Sequence, residues 1–398
     1  MHLSLSIILL LNCTIAILTF AYSVQYDEQD AFLTVPEIIS KYGYPVEEHY
    51  VTTPDGYILK LHRIPHGANS VLPAKPVLVM HGLLCSSADW IITGPNHGLG
   101  YFLADRGYDV WLGNARGNKF SRNHTTLNPD ANPEFWKFSF HEIGTIDVPA
   151  MIDYILGVTK QRQLFHVGYS QGTTSFYIMT SMRPEYNKKV RVHVSLAPVA
   201  YMAFVKSPIL RFLAHWFPVE KLFEAIGFHE FNPSNEFLKK IADKYCKKDE
   251  SIQNLCANVL FALCGYSPAE MNTTLIPVIF AHTPAGASVQ QIMHYAQLVR
   301  TGQFQQYDFG IDNLGIYGSL FPPLYEIKHI QTPIYLVYSH NDWLAASEGV
   351  FTLCKHLGDN CKQKLKVSDN LFNHIDYMYG TRAPEVVYAK VTNIMAHY

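Results

Sequence analysis

The stretch Leu164-Phe-His-Val-Gly-Tyr-Ser-Gln-Gly172 decides the fold. Its first four residues have the apolar and aromatic character of a short buried strand, and from Gln171 onward the chain reads as a helix. Gly168-Tyr169-Ser170-Gln171-Gly172 between them has the form of a nucleophile elbow, a sharp strand-to-helix turn that pushes a serine hydroxyl into a cleft. Glycines suit both flanks because Cβ atoms there would collide across so tight a turn. Gly265-Tyr266-Ser267-Pro268-Ala269 imitates this pattern but lacks the second glycine. Its Pro268 also has no N–H with which to stabilise an oxyanion.

Working outward, similar short runs each end in a loop of small or polar residues. Pro76–Met80 leads into His81-Gly82, Tyr108–Leu112 into Gly113-Asn114, Val192–Leu196 into Ala197-Pro198, and Ile334–Tyr338 into Ser339-His340-Asn341-Asp342. Helix-length segments such as 97–106 and 143–157 separate them. Short apolar strands alternating with helices predict a mostly parallel sheet buried on both faces, an α/β fold with ligands beyond the carboxyl ends of the strands. The rhythm breaks over residues 201–324, where a helical, aromatic segment interrupted by prolines predicts an inserted cap or lid. A helix is expected around 237–245, where Phe237, Leu238, Ile241, Ala242 and Tyr245 share one side. The catalytic domain is then discontinuous, 24–200 with 325–398.

A serine nucleophile needs a base, and the base needs an orienting carboxylate. In this architecture the order along the chain is Ser, acid, His. Asp342 directly follows the strand 334–338; a helix-like stretch (345–357) and a short strand (364–367) then lead to Phe372-Asn373-His374. Ser170, Asp342 and His374 are therefore the candidate triad. Glu348 falls inside the helix, and Asp376 lies too close to His374 to be an independent loop partner. Two backbone N–H groups must face the developing oxyanion. Gln171, at the helix start, and Leu83, in the loop His81-Gly-Leu-Leu84, are the candidates; His81 itself is expected to bond locally. Asp147 and Glu142 read as structural, and His141-Glu142 lacks the second His of a zinc protease. The chemistry needs no metal and no organic cofactor.

Leu3–Phe20 is almost continuously apolar, and Ala21-Tyr22-Ser23 supplies small residues at a cleavage site. The segment 1–23 reads as a signal peptide, with an uncleaved anchor as the alternative. Entry to the secretory pathway follows, toward the extracellular space or a lysosomal lumen. Beyond Cys13 in that leader stand Cys85, Cys246, Cys256, Cys264, Cys354 and Cys361, an even set in an oxidising compartment. Cys246 with Cys256, and Cys354 with Cys361, are the close pairs; their spacings match no zinc pattern. Asn123 and Asn272 begin acceptor sequons for glycosylation, whereas Asn232 is followed by proline. Of the 398 residues 48% are hydrophobic and 16% charged, which excludes disorder, collagen and coiled coil. The net charge of −2 and the absence of a basic stripe argue against nucleic acid as a partner. Protonation of the 19 histidines would make the chain strongly cationic in an acidic compartment.

Long blocks elsewhere give the chain a family likeness. Val35-Pro-Glu-Ile-Ile-Ser-Lys-Tyr-Gly-Tyr-Pro45, Thr52-Thr-Pro-Asp-Gly-Tyr57, Ser86-Ser-Ala-Asp-Trp90, Asp109-Val-Trp-Leu-Gly-Asn-Ala-Arg-Gly-Asn118, Phe135-Trp-Lys-Phe-Ser139, Pro284-Ala-Gly-Ala-Ser-Val-Gln290 and Asn373-His-Ile-Asp376 span the whole mature length. Together they resemble the acid lipases, the gastric and lysosomal type of α/β-hydrolase. The resemblance implies Ser170, Asp342 and His374 as triad, Leu83 and Gln171 as oxyanion donors, and a cap with a movable lid. It also implies a Cys246–Cys256 disulfide and a free thiol at Cys264. Tyr169 departs from the histidine usual before the nucleophile, and Ser339-His340-Asn341 replaces commoner small residues. A Cys354–Cys361 bridge has no counterpart in the mammalian pattern. The expected activity is hydrolysis of neutral lipid esters, triacylglycerols or cholesteryl esters, by a monomer touching a lipid surface through its lid. An esterase of small soluble esters, or a non-catalytic lipid carrier, are the alternatives.

Overall fold

The computed structural model describes residues 27–67, 75–215, 227–232 and 260–398. The segment 1–23 expected as a signal peptide, Cys246, Cys256 and the helix expected at 237–245 lie outside the described residues. Eight of the described strands form one sheet: β1 (Glu47–Thr52), β2 (Ile58–Ile64), β3 (Lys75–Met80), β4 (Tyr108–Leu112), β5 (Leu164–Tyr169), β6 (Val190–Leu196), β9 (Ile334–Tyr338) and β10 (Cys361–Lys366). Their order is β1-β2-β4-β3-β5-β6-β9-β10. Every pair from β4 through β10 is parallel, and β2 is antiparallel to both of its neighbours.

Burial explains the sequence character of each strand. β4 and β5 are buried along their whole lengths, so they carry bulky residues at consecutive positions. The edge strand β10, Cys-Lys-Gln-Lys-Leu-Lys, is mostly exposed, and its lysines discourage pairing with another chain. The β1–β2 hairpin precedes the first strand expected from sequence, Pro76–Met80. β1 is polar and mostly exposed, while β2 buries Leu59 and Leu61 by strand alternation; the turn between them holds Gly56 at φ +98°.

Helices α1 (Leu99–Ala104), α2 (Val148–Thr159), α3 (Gln171–Met182), α7 (Ser347–Leu357) and α8 (Ala389–Ala396) flank the sheet. Between β6 and β9 the described residues include α4 (Pro208–His215), α5 (Ile276–His282) and α6 (Val289–Thr301). The same connection contains β7 (Glu230–Phe231) and β8 (Ala287–Ser288), which form a separate antiparallel pair.

β3 is the sheet's switch point. It pairs with β4 on one side and β5 on the other, so the chains leaving their carboxyl ends part and open a crevice. Gly82 and Leu83 follow β3, Ser170 follows β5, Asp342 follows β9, and His374 follows β10. All four loops therefore open at one end of the sheet.

Candidate active site

Ser170 joins β5 to α3 with φ +50° and ψ −115°, a conformation rarely adopted by a residue with a side chain. The flanking glycines explain why the turn closes. A Cβ on Gly168 would stand 2.6 Å from the Gly172 carbonyl oxygen, and one on Gly172 would run into the Met80 carbonyl. Gly82 completes the close packing, since a Cβ there would lie 2.8 Å from the Tyr169 ring and 3.2 Å from the Ser170 Cβ. The loop after β3 is thus pressed against the serine.

A continuous hydrogen-bonded chain runs from this serine. Ser170 Oγ lies 2.9 Å from His374 Nε2, and His374 Nδ1 lies 2.8 Å from Asp342 Oδ2 and 3.0 Å from Oδ1. With Nδ1–H donating to the carboxylate, Nε2 is left as the acceptor for the serine hydroxyl. Asp342 is fully buried, and its Oδ1 also accepts the backbone N–H groups of Leu344 (2.9 Å) and Ala345 (2.7 Å). These bonds compensate a carboxylate withdrawn from water. The structure brings together all three residues singled out in the sequence. Among the described residues, the amides of Leu83 and Gln171 find no acceptor, and both lie next to Ser170 in sequence or across the Gly82 contact.

The rival residues have structural partners. His81 Nδ1 contacts the Gly82 carbonyl at 2.7 Å, and its Nε2 accepts the Ala115 N–H at 3.1 Å. Glu142 closes a capping box with Ser139. Asp147 takes the Arg116 guanidinium at 2.6 Å, and Arg116 reaches Asp55 of the hairpin turn at 2.7 Å. Burial raises the Asp147 carboxyl while Arg116 opposes that shift. Asp376 Oδ2 accepts the Asn373 N–H at 2.7 Å, and burial pushes its carboxyl up to about 7.

Two further features contact the triad residues or their loops. Tyr169, noted only as a departure, donates its hydroxyl to the His374 carbonyl at 2.9 Å and packs its ring 5.2 Å from the imidazole. The segment 264–266, set aside as an imitation elbow, lies against the loops of Asp342 and His374. Its interaction is made by backbone carbonyls, for which side-chain identity carries little signal.

Cys354 and Cys361 form a disulfide between the last turn of α7 and the start of β10. Cys85 and Cys264 are free and buried, and burial pushes both thiols up. Asn123 is exposed, and Asn272 is half-buried at the N-cap of a short helical turn. No helix of the described residues is long and apolar enough to cross a membrane.

Residues 35–94 match the family model of a partial α/β-hydrolase lipase region, and residues 75–221 match that of the α/β-hydrolase fold. Lipase 3 of Drosophila melanogaster is 42% identical over 371 residues, covering 91% of this chain and 92% of that protein. Bos taurus gastric triacylglycerol lipase is 40% identical over 375 residues, 92% of each chain. Homo sapiens lysosomal acid lipase/cholesteryl ester hydrolase is 38% identical, covering 92% and 91%. A solved structure from Sulfolobus solfataricus shares the fold with a TM-score of 0.55 at 14% identity, covering 85% of this chain and 90% of that one. The chain belongs to the acid lipase family of α/β-hydrolases and is an ester hydrolase of the lipase type.

Proposed function

We propose that this protein hydrolyses the carboxylic ester bonds of neutral lipids through an acyl-enzyme on Ser170. The observation that carries this reading is the unbroken chain from Ser170 Oγ through the His374 ring to Asp342. His374 Nε2 takes the serine proton as Oγ attacks the ester carbonyl, and Asp342 holds the ring and stabilises its cation. The amides of Leu83 and Gln171 receive the oxyanion. The alcohol leaves with the proton from His374, and water then repeats the sequence on the acyl-enzyme. No step calls for a metal or an organic cofactor.

The lipid substrate is supported by the triacylglycerol and cholesteryl ester named for the gastric and lysosomal relatives. It is also supported by α4, which exposes Ile209 and Leu213. Exposed apolar side chains on this helix suit a lid in an inserted cap, 201–324, that touches a lipid surface. The apolar leader, the disulfide and the names of these relatives support an extracellular or lysosomal lumen.

Wild type and Ser170→Ala are assayed on an emulsified long-chain triacylglycerol. Only wild type is expected to release fatty acid, and on a partly soluble short-chain triacylglycerol its rate should rise steeply once the substrate exceeds its solubility. Equal activity in the variant would remove Ser170 from the chemistry. Saturation below the solubility limit would assign small soluble esters instead, and failure of wild type to react with a fluorophosphonate would favour a carrier.

A further inference from the structure

We propose that residues 264–266, within the connection between β6 and β9, form a positioning brace that fixes the loops of Asp342 and His374 relative to each other. The inference rests on the catalytic reading above and adds residues that act through the triad rather than on substrate.

Three successive carbonyls make the brace. The Cys264 carbonyl accepts the backbone N–H of Trp343 at 3.2 Å and that of His374 at 3.4 Å. The Gly265 carbonyl accepts the Asn373 side-chain amide at 2.7 Å. The Tyr266 carbonyl accepts the Asn341 amide at 2.8 Å, and the same amide donates to the Leu371 carbonyl at 2.5 Å. Each of the two loops thus contributes one backbone N–H and one side-chain amide to the same three residues. The donors stand immediately beside Asp342 on both sides, and on or immediately before His374.

This arrangement depends on the backbone of Gly265. Its φ is +113°, and a Cβ there would run into the Asn341 carbonyl oxygen and come within 3.2 Å of the Trp343 ring. A glycine lets the brace lie directly on the acid loop. Its Asn373 contact is also pre-set: Asn373 is fully buried, and its side-chain oxygen accepts the N–H groups of Ile375 (3.0 Å) and Asp376 (3.2 Å), which leaves the amide nitrogen facing Gly265. His374 is also held by the Tyr169 hydroxyl on its carbonyl.

The loops need such support because both lie past the ends of β9 and β10, where no strand ladder holds them. Displacing reacting groups by about 1 Å can cost on the order of 100-fold in rate. A third segment that satisfies the polar groups of both loops restricts that displacement.

The test uses full-length Asn341→Ala and Gly265→Ala, with Ser170→Ala and Asn360→Ala measured alongside. Asn360 donates its amide to the Ile330 carbonyl at 2.8 Å, an equivalent bond outside the braced loops. Rates on a soluble short-chain ester are normalised to serines titrated with a fluorophosphonate, which removes any effect of misfolded protein; Ser170→Ala, which has no such serine, is normalised to folded protein measured by circular dichroism. We expect kcat to fall about 10-fold in Asn341→Ala and on the order of 100-fold in Gly265→Ala. KM should stay within about two-fold, as for a change in transition-state geometry alone. The pH dependence of kcat should shift in both, and Asn360→Ala should match wild type. If Asn341→Ala and Gly265→Ala keep wild-type kcat and pH profile per titrated serine while Ser170→Ala is inactive, the brace is wrong and the catalytic reading stands. If Ser170→Ala retains activity, both fall together.

Discussion

Gly168, Gly172 and Gly82 hold Ser170 by direct backbone packing over the ends of β3 and β5, within one sheet and largely within one nine-residue stretch. Asp342 and His374 are held differently. They stand 32 residues apart on separate loops and are connected by side-chain amides and by carbonyls of a segment from the β6–β9 connection. The serine side depends on the absence of atoms, and the acid–base side on the presence of donors. Substitutions should therefore fail in different ways: at the elbow only an added methyl group is harmful, whereas across the sheet loss of a polar group is harmful too, beside the one tight backbone position at Gly265.

The largest expected effect is on the polar side. Asp342→Asn keeps the shape but cannot accept the Nδ1–H as a charged partner and favours the wrong tautomer of His374. A fall in kcat of about 10⁴-fold is expected, by analogy with the same substitution in other triads. KM and the urea unfolding midpoint should stay near wild type; a loss below 10-fold would show that His374 does not depend on this carboxylate.

Gly172→Ala tests the other side. Alanine is the better helix former by about 1 kcal/mol, so propensity alone predicts stabilisation. The methyl group would meet the Met80 carbonyl, a backbone atom that cannot rotate aside, and overpacking of this kind costs about 1–3 kcal/mol or more. Net destabilisation in urea unfolding, with reduced activity, is expected. A variant as stable as wild type would mean that the elbow tolerates atoms after all.

The same contrast decides what could be read from the chain. The elbow was legible because its constraint is local: glycines at 168 and 172 and a strand–helix change occur together in one stretch. Asp342 and His374 were legible through their order and through the strands that precede them. The brace was not, because a carbonyl is present at every residue and only tertiary contact selects those of 264–266. Gly265-Tyr266-Ser267 resembles the elbow through its serine, whereas its contacts with the two loops come from its backbone. β1 and β2 lack the continuously apolar runs that mark doubly buried strands. The alternation Leu59, Leu61 with Lys60 and the Asp55-Gly56 turn carried the missing signal.

The Cys354–Cys361 disulfide strengthens the acid–base side, since it fastens α7, which follows the Asp342 loop, to β10, which precedes His374. A sequence separation of 7 corresponds to a short closed loop, worth roughly 2–3 kcal/mol in the chain-entropy account. The double variant Cys354→Ser/Cys361→Ser should lose that much in urea unfolding at fixed pH, with kcat per titrated serine little changed. Unchanged stability would show that α7 and β10 are fixed without it.

The two sides should also respond oppositely to pH, with a smaller effect per unit. Beneath the elbow, His166 on β5 and His193 on β6 are fully buried and face each other Nδ1 to Nδ1 at 2.9 Å, so one donates and the other accepts. Their Nε2 atoms have no partner among the described residues. Burial pushes His166 down to about 3 and His193 well below the ordinary range. Because the folded values lie below the unfolded one, the stability these histidines contribute is present above about pH 6.5 and is lost as pH falls toward 3. Asp376, beside the acid–base loops, has the reverse sign. Its folded value is raised to about 7, so its contribution is present below the unfolded value of 3.8 and is lost as pH rises through 7. Urea unfolding from pH 4.5 to 8 should separate them. Relative to wild type, Asp376→Asn should gain stability as pH rises, by at most about 1.4 kcal/mol per unit, and His166→Leu/His193→Leu should gain it as pH falls. Parallel profiles for both variants would show that neither site titrates differently on folding, and the two sides would then differ in packing alone.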